Sequence, residues 1–146
     1  MIRFMSVEVQ VEVDFERARR RAFFRRLAAR LRRECSRLLA FDEIGESRLA
    51  HNRRYLGLRN VEVSKIVGSV GRHDAFDQGF MPTKASLAER WKRVDRAFHY
   101  GLDLPAIRLY KIGTSYFVED GNHRVSVARY QGVHTIEAEV TEYFSL

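Results

Sequence analysis

The sequence predicts an α/β (α+β) domain preceded by a strand and a long basic helix. Three observations lead there. Residues 5–13 alternate strictly, with Met5, Val7, Val9, Val11 and Val13 on one side and Ser6, Glu8, Gln10 and Glu12 on the other. Residues 15–40 then carry apolar side chains at steps of three and four. Residues 116–132 read as an apolar run, a polar turn and a short helical period closed by Gly132. Alternation is the pattern of a half-buried strand, and steps of three and four are that of an amphipathic helix.

Taken in order, residues 5–13 are expected to pair antiparallel or at a sheet edge. Asp14 is a suitable N-cap for the helix that follows. Phe24, Ala28, Leu31, Cys35 and Leu38 form its apolar stripe, widened by Leu27 and Leu39, with Cys35 as a small buried hydrophobe. The rest of that helix is dense in arginine, from Arg17 to Arg37. Residues 41–57 are polar and punctuated by glycine, a connector with a short helix from Glu46 to Tyr55. They separate an N-terminal unit, 1–57, from a core, 58–146.

Val61 to Val67 is the first strand expected in that core. Gly68-Ser69-Val70-Gly71-Arg72 follows as a glycine-flanked loop that can bring backbone N–H groups to a phosphate, although it lacks the Walker lysine pattern. Ser86-Leu87-Ala88-Glu89 is a capping box for a helix running to about Tyr100, with Gly101 as its stop. Leu87, Trp91, Val94 and Phe98 share one face, which makes Trp91 a core residue. Ile107–Lys111 and Ser115–Val118 form a hairpin about Gly113-Thr114, and His134–Val140 is the last strand.

Composition narrows the function classes. A net charge of +7 and a pI near 10.0 favour anionic partners. Cys35 is the only cysteine, which excludes an internal disulfide and a cysteine-based zinc site. A reduced, cytoplasmic setting fits this best. No apolar run reaches membrane-spanning length, and Met1-Ile2-Arg3-Phe4 does not open a secretory signal, so no membrane partner is expected. A homodimer is compatible with everything in the sequence.

The chemistry concentrates at residues 119–124. A glycine in a strand-to-helix turn lets backbone N–H groups approach a ligand closely. The first turn of the helix offers unpaired N–H donors and a partial positive charge. His123 and Arg124 add side-chain donors at the same end, completing a phosphate cradle. The same residues also suit a plain Asp-Gly turn with Asn122 as N-cap and Arg124 in solvent. The arginine face, with Arg19, Arg26 and Arg33 along it, can grip nucleic-acid phosphates through guanidinium forks, or remain solvated. His73, Asp74 and Asp77 lie close together and suit either magnesium or a turn, so metal ligands stay unassigned.

Gly121-Asn122-His123-Arg124 resembles the Gly-x-x-Arg signature of the ParB/sulfiredoxin-like superfamily. Sulfiredoxins carry Gly-Cys-His-Arg there, and ParB proteins Gly-Glu-Arg-Arg. Free serine kinases of the same fold carry Asp-Gly-His-His-Arg, which is similar to Asp120-Gly121-Asn122-His123-Arg124. Leu104-Pro105-Ala106-Ile107 resembles the segment leading into the ParB core, and Val61-Glu62-Val63-Ser64-Lys65-Ile66 its opening strand. Arg72 matches the arginine of the first ParB box. The resemblance spans residues 58–143, and residues 1–55 have no counterpart.

The resemblance implies a nucleotide site for ATP, ADP or CTP, with Mg2+ as a further component, and with hydrolysis or phosphoryl transfer as the activity. Ser69, Arg72, Gly121, Asn122, His123 and Arg124 would bind phosphate. Glu119, Asp120 and His123 would be catalytic, either carboxylate serving as base or magnesium ligand. Two alternatives stand beside this: a DNA-binding module without chemistry, and a metal-dependent nuclease of the ParB-like type. Two departures are visible. Asn122 occupies the position of the sulfiredoxin cysteine, so sulfinic-acid repair is not expected. The helix-turn-helix region that follows the core in chromosome-partitioning ParB proteins is not expected either.

Overall fold

The structure, a computed structural model, describes residues 5–41, 52–71 and 74–144. Its first element corrects the sequence reading. Residues 5–13 form no strand: helix α1 runs Val7–Arg32, and Ser6 caps it by accepting the Val9 N–H at 3.3 Å. Val11, Phe15, Ala18 and Ala22 fall on one helical face and are all buried. This apolar row runs straight through Asp14, which is a buried residue inside the helix rather than its cap. Packing of such a face decides helix formation more than the β-propensity of alternating valines.

The stripe expected from Phe24 to Leu38 is also corrected. Phe24, Leu27 and Leu31 are exposed. Helix α1 stops at Arg33, in the left-handed region at φ 56°, so Cys35 and Leu39 lie beyond it and are exposed. Leu38 alone of the later positions is buried.

Six strands make one mixed sheet among the described residues: β1 Leu39–Ala40, β2 Asn52–Glu62, β3 Ile66–Ser69, β4 Ile107–Ile112, β5 Ser115–Asp120 and β6 Thr135–Phe144. Their order is β1-β3-β5-β4-β6-β2. Pairs β1/β3, β3/β5 and β4/β6 are parallel, while β4/β5 and β2/β6 are antiparallel. Among the described residues β2 is therefore an edge, bordered by β6 alone, and its register shifts between Tyr55 and Gly57, where Gly57 has φ 81°. The strand replaces the C-terminal part of the helix expected at 46–55, whose earlier residues, to 51, lie outside the described residues. A 3-10 turn, Val63–Lys65, divides the strand expected over 61–67.

Helix α2 spans Ala88–His99 and helix α3 spans Asn122–Tyr130. The capping box at Ser86–Glu89 does not form. α2 is entered through a 3-10 turn at Ala85–Leu87, and no side chain caps it. Gly101, at φ 66°, closes α2 as expected, where the Leu102 N–H reaches back to Ala97 O at 3.0 Å. The hairpin about Gly113 and the last strand stand where the sequence puts them. No described helix is long and apolar enough to cross a membrane.

The helices lie on one face of the sheet. Phe15, Ala18, Ala22, Trp91, Val125 and Val127 from the helices join Ile66, Leu109, Val118, Ala138 and Val140 from the strands in one apolar cluster. Trp91 is fully buried, and its Nε1 donates to Ser126 Oγ at 2.8 Å, so the largest core side chain has its polar atom satisfied. Successive strand residues point to opposite faces, so Tyr110 and Phe117 lie behind Leu109 and Val118. There they meet Phe41 and Tyr143 in an aromatic cluster with ring centroids 5.1 to 5.7 Å apart.

Residues 74–82 form a loop held to α1 by one buried carboxylate. Asp77 Oδ1 accepts the N–H groups of Gly79 and Met81 at 2.9 Å each, and Arg25 donates to both Asp77 oxygens. Asp77 is thus fully engaged within the protein, which removes it from the magnesium reading. His73 lies outside the described residues. Asp74 is exposed and faces Lys84 at 3.9 Å.

Candidate functional site

Strand β5 carries the chain to Asp120, Gly121 turns it, and α3 starts at Asn122. Gly121 has φ 118° and ψ 27°, a backbone conformation that L side chains rarely adopt. A Cβ there would lie 2.8 Å from Ile107 Cβ and 3.3 Å from Arg124 Nη2. Ile107 is fully buried, so the fold itself requires glycine at this position. No side chain caps α3, which leaves first-turn N–H donors without a side-chain acceptor.

That helix end opens on a cavity of about 370 Å³, lined by Glu119 to Arg124, Phe76, Val94, Arg90 and Arg93. Six of the predicted site residues, Glu119, Asp120, Gly121, Asn122, His123 and Arg124, meet there. Arg90 and Arg93 were not singled out from sequence. They are exposed residues of α2, about thirty positions from the turn, and only the packing of α2 on α3 brings them to it. With Arg124 they give three guanidiniums at one helix N-terminus, a strongly anion-seeking arrangement.

The individual side chains are not equally available. Arg124 Nη1 donates to Pro105 O at 2.5 Å and Ala106 O at 3.3 Å, and Nη2 to Asp120 Oδ2 at 3.2 Å. Arg124 therefore fastens the segment before β4 to the turn as well as lining the cavity. The His123 ring stands edge-on to Phe76, with centroids 5.2 Å apart. Asn122 Oδ1 is buried with no hydrogen-bond partner. Buried polar atoms are ordinarily paired, so this one marks hydrogen-bonding capacity that the protein leaves unfilled at the cavity. Glu119 lies 3.9 Å from Arg108, and Asp120 is exposed at the rim.

Ser69 stands apart from this group. It is fully buried in β3, its hydroxyl donates to Val118 O at 3.4 Å, and it does not line the cavity. Arg72 lies outside the described residues. A second cavity, of about 480 Å³, adjoins the first and shares Val94 and Arg124 with it. Phe98, Leu102, Leu104, Val133 and Ile136 give it a largely apolar wall.

On α1, Arg19 is half-buried, while Arg26 and Arg33 are exposed. They are seven residues apart, nearly two helical turns, and so lie along one side of the helix. Arg26 Nη2 donates to Thr83 O at 3.3 Å. Phe23 and Phe24 are exposed among these arginines, their rings 5.5 Å apart.

A second polar cluster lies between α1 and α2, where sequence reading saw only a helix cap. Asp14 and Asp95 are both buried, and His99 Nε2 stands 2.8 Å from Asp14 Oδ2 and 3.6 Å from Asp95 Oδ2. Burial, and then the neighbouring Asp14, push the Asp95 carboxyl up to about 7. Burial acts on Asp14 in the same upward sense. Hydrogen bonds from Asp95, His99, Gln10 and Tyr130 outweigh it, and Asp14 is held below its ordinary value. The legible sequence signal was the spacing of Asp95 and His99, four residues apart on one helix.

No protein-family model and no curated protein matches the sequence. Among solved structures, the chain is similar to sulfiredoxin from Arabidopsis thaliana, with 21% sequence identity and a TM-score of 0.39. The match covers 57% of this chain and 82% of that one.

Proposed function

We propose that the cavity at the N-terminus of α3 binds the phosphates of a nucleotide. The observation that carries this reading is the convergence of Arg90, Arg93 and Arg124 on an uncapped helix N-terminus behind Gly121. The unpartnered Asn122 Oδ1 supports a ligand at this point. The adjoining apolar cavity is suited to a nucleoside, because bases bind largely through their faces against apolar side chains. In this reading His123 and Arg124 contact phosphate oxygens, and Glu119 or Asp120 holds Mg2+ or takes a proton during hydrolysis or phosphoryl transfer. Mg2+ suits their carboxylate oxygens.

A thermal-shift screen of ATP, ADP, CTP and GTP, with and without magnesium, tests the reading, since a ligand that binds only the folded chain raises Tm. A rise that disappears in the Arg90→Ala, Arg93→Ala double variant supports the site. No rise with any of the four overturns it.

A second reading, nucleic-acid binding along α1, is favoured by a different observation. Exposed arginines there alternate with the exposed rings of Phe23 and Phe24, and a basic surface with aromatic stacking partners suits single-stranded nucleic acid. Steeply salt-dependent binding that no nucleotide competes would favour it.

A further inference from the structure

We propose that Asp14, Asp95 and His99 bind a divalent transition-metal cation of the zinc class, which clamps α1 to α2. The three donor atoms lie within 4.8 Å of one another. His99 Nε2 is 2.8 Å from Asp14 Oδ2 and 3.6 Å from Asp95 Oδ2. Ligand atoms of a tetrahedral site with bonds near 2.1 Å stand about 3.4 Å apart, so small movements bring all three into range.

The independent sign of a ligand is Asp95. It is fully buried, no N–H or hydroxyl donates to its Oδ2, and that atom faces the cluster. A buried carboxyl oxygen that no such donor reaches is costly, and two carboxyls this close could not both carry charge without a counter-ion. A dication would cancel both charges and fill the empty position. The displaced protons go to solvent as imidazole Nε2 and the carboxyls become ligands.

The surroundings are arranged as an outer shell. Gln10 Nε2 donates to Asp14 Oδ1 at 2.8 Å, and the Tyr130 hydroxyl to the same oxygen at 3.2 Å. Gln131 Nε2 donates to Asp95 Oδ1 at 2.9 Å and to Asp14 Oδ2 at 3.2 Å. The Oδ1 atoms are thus held in place while both Oδ2 atoms face His99 Nε2. Such partners orient metal-binding carboxylates. His99, with 23% of its side chain exposed, leaves a route in and room for a water as a fourth ligand. One imidazole with two carboxylates suits zinc and its neighbours better than magnesium or calcium, which take oxygen donors alone.

The test uses the full chain after treatment with a chelator, titrated with zinc chloride by calorimetry and followed by thermal melting. Binding of one equivalent, with a raised Tm, is expected. Asp95→Asn, nearly the same in shape, should keep the far-ultraviolet circular dichroism and the metal-free Tm while abolishing the zinc-dependent rise. His99→Gln should abolish it too. Gln131→Ala should weaken zinc binding by about 10- to 100-fold, as for other outer-shell partners. A wild-type chain that gains no stability from zinc overturns the proposal and leaves a proton as the only bridge. So does a zinc-dependent gain that survives both Asp95→Asn and His99→Gln.

Discussion

Arg25 Nη1 donates to both oxygens of Asp77, at 2.8 Å and 2.7 Å, and so ties the basic helix to a loop fifty residues away. Arg25 is 41% exposed while Asp77 is 1% exposed. An arginine that sequence reading counted in a phosphate-binding face is therefore a structural tether. Gly79 belongs to the same arrangement, since a Cβ there would run into the Arg25 guanidinium.

Asp77→Ala should lower stability by about 1.5–3 kcal/mol, the range for hydrogen bonds to charged groups. Half-exposure of Arg25 keeps the loss below that of a fully buried pair. Urea denaturation followed by circular dichroism measures it. An unchanged midpoint would mean that the loop does not need this carboxylate.

Gly121→Ala should cost about 1–3 kcal/mol, because its backbone conformation is one that non-glycine residues adopt only under strain. The added methyl also meets buried Ile107, so the variant perturbs the fold and not merely the cavity. A Tm equal to that of the wild type would contradict this.

Arg90→Ala and Arg93→Ala should each weaken ATP binding by about tenfold, which corresponds to roughly 1.4 kcal/mol, with no change in Tm. Arg124→Ala should lower both affinity and Tm, because it also releases the carbonyls of Pro105 and Ala106. Calorimetric titration beside a melting curve separates the two patterns. If Arg90 and Arg93 variants bind as the wild type does, the cavity is not the nucleotide site.

Replacing Arg19, Arg26 and Arg33 together by Ala should weaken nucleic-acid binding and flatten its salt dependence. Each lost phosphate contact reduces the slope of log K against log salt by roughly 0.7–0.9. Fluorescence anisotropy with a labelled oligonucleotide at several salt concentrations reports both quantities. An unaltered slope would make this side of α1 a solvated surface.

The parts that sequence disclosed are those fixed by neighbours in the chain. The turn at Gly121, the hairpin at Gly113 and the helix stop at Gly101 follow from local backbone needs, and each has positive φ. Only the first two turns of α1 were hidden, because Val7, Val9, Val11 and Val13 satisfy the alternation of a strand. The decisive row, Val11-Phe15-Ala18-Ala22, becomes meaningful only when it is packed beneath α2. Arg90 and Arg93 carry no local mark, since an exposed arginine on an amphipathic helix looks the same whatever it faces. Asp14 was read as a cap because aspartate ordinarily serves there. Its burial depends on His99, Tyr130 and Gln131, which arrive from more than eighty residues away.

The edge position of β2 bears on how the molecule behaves among copies of itself. A long outer strand offers a row of open backbone donors and acceptors on which a second chain can template, the first step toward fibrous aggregates. β2 is eleven residues long and exposes Tyr55 and Leu58, so it carries that hazard. The irregularity at Gly57 interrupts the row, and exposed Arg53 and Arg59 set like charges against an incoming copy. Charge in this strand thus acts as a guard on colloidal stability, a duty separate from any ligand, and high salt, by screening it, should be the condition that exposes the weakness.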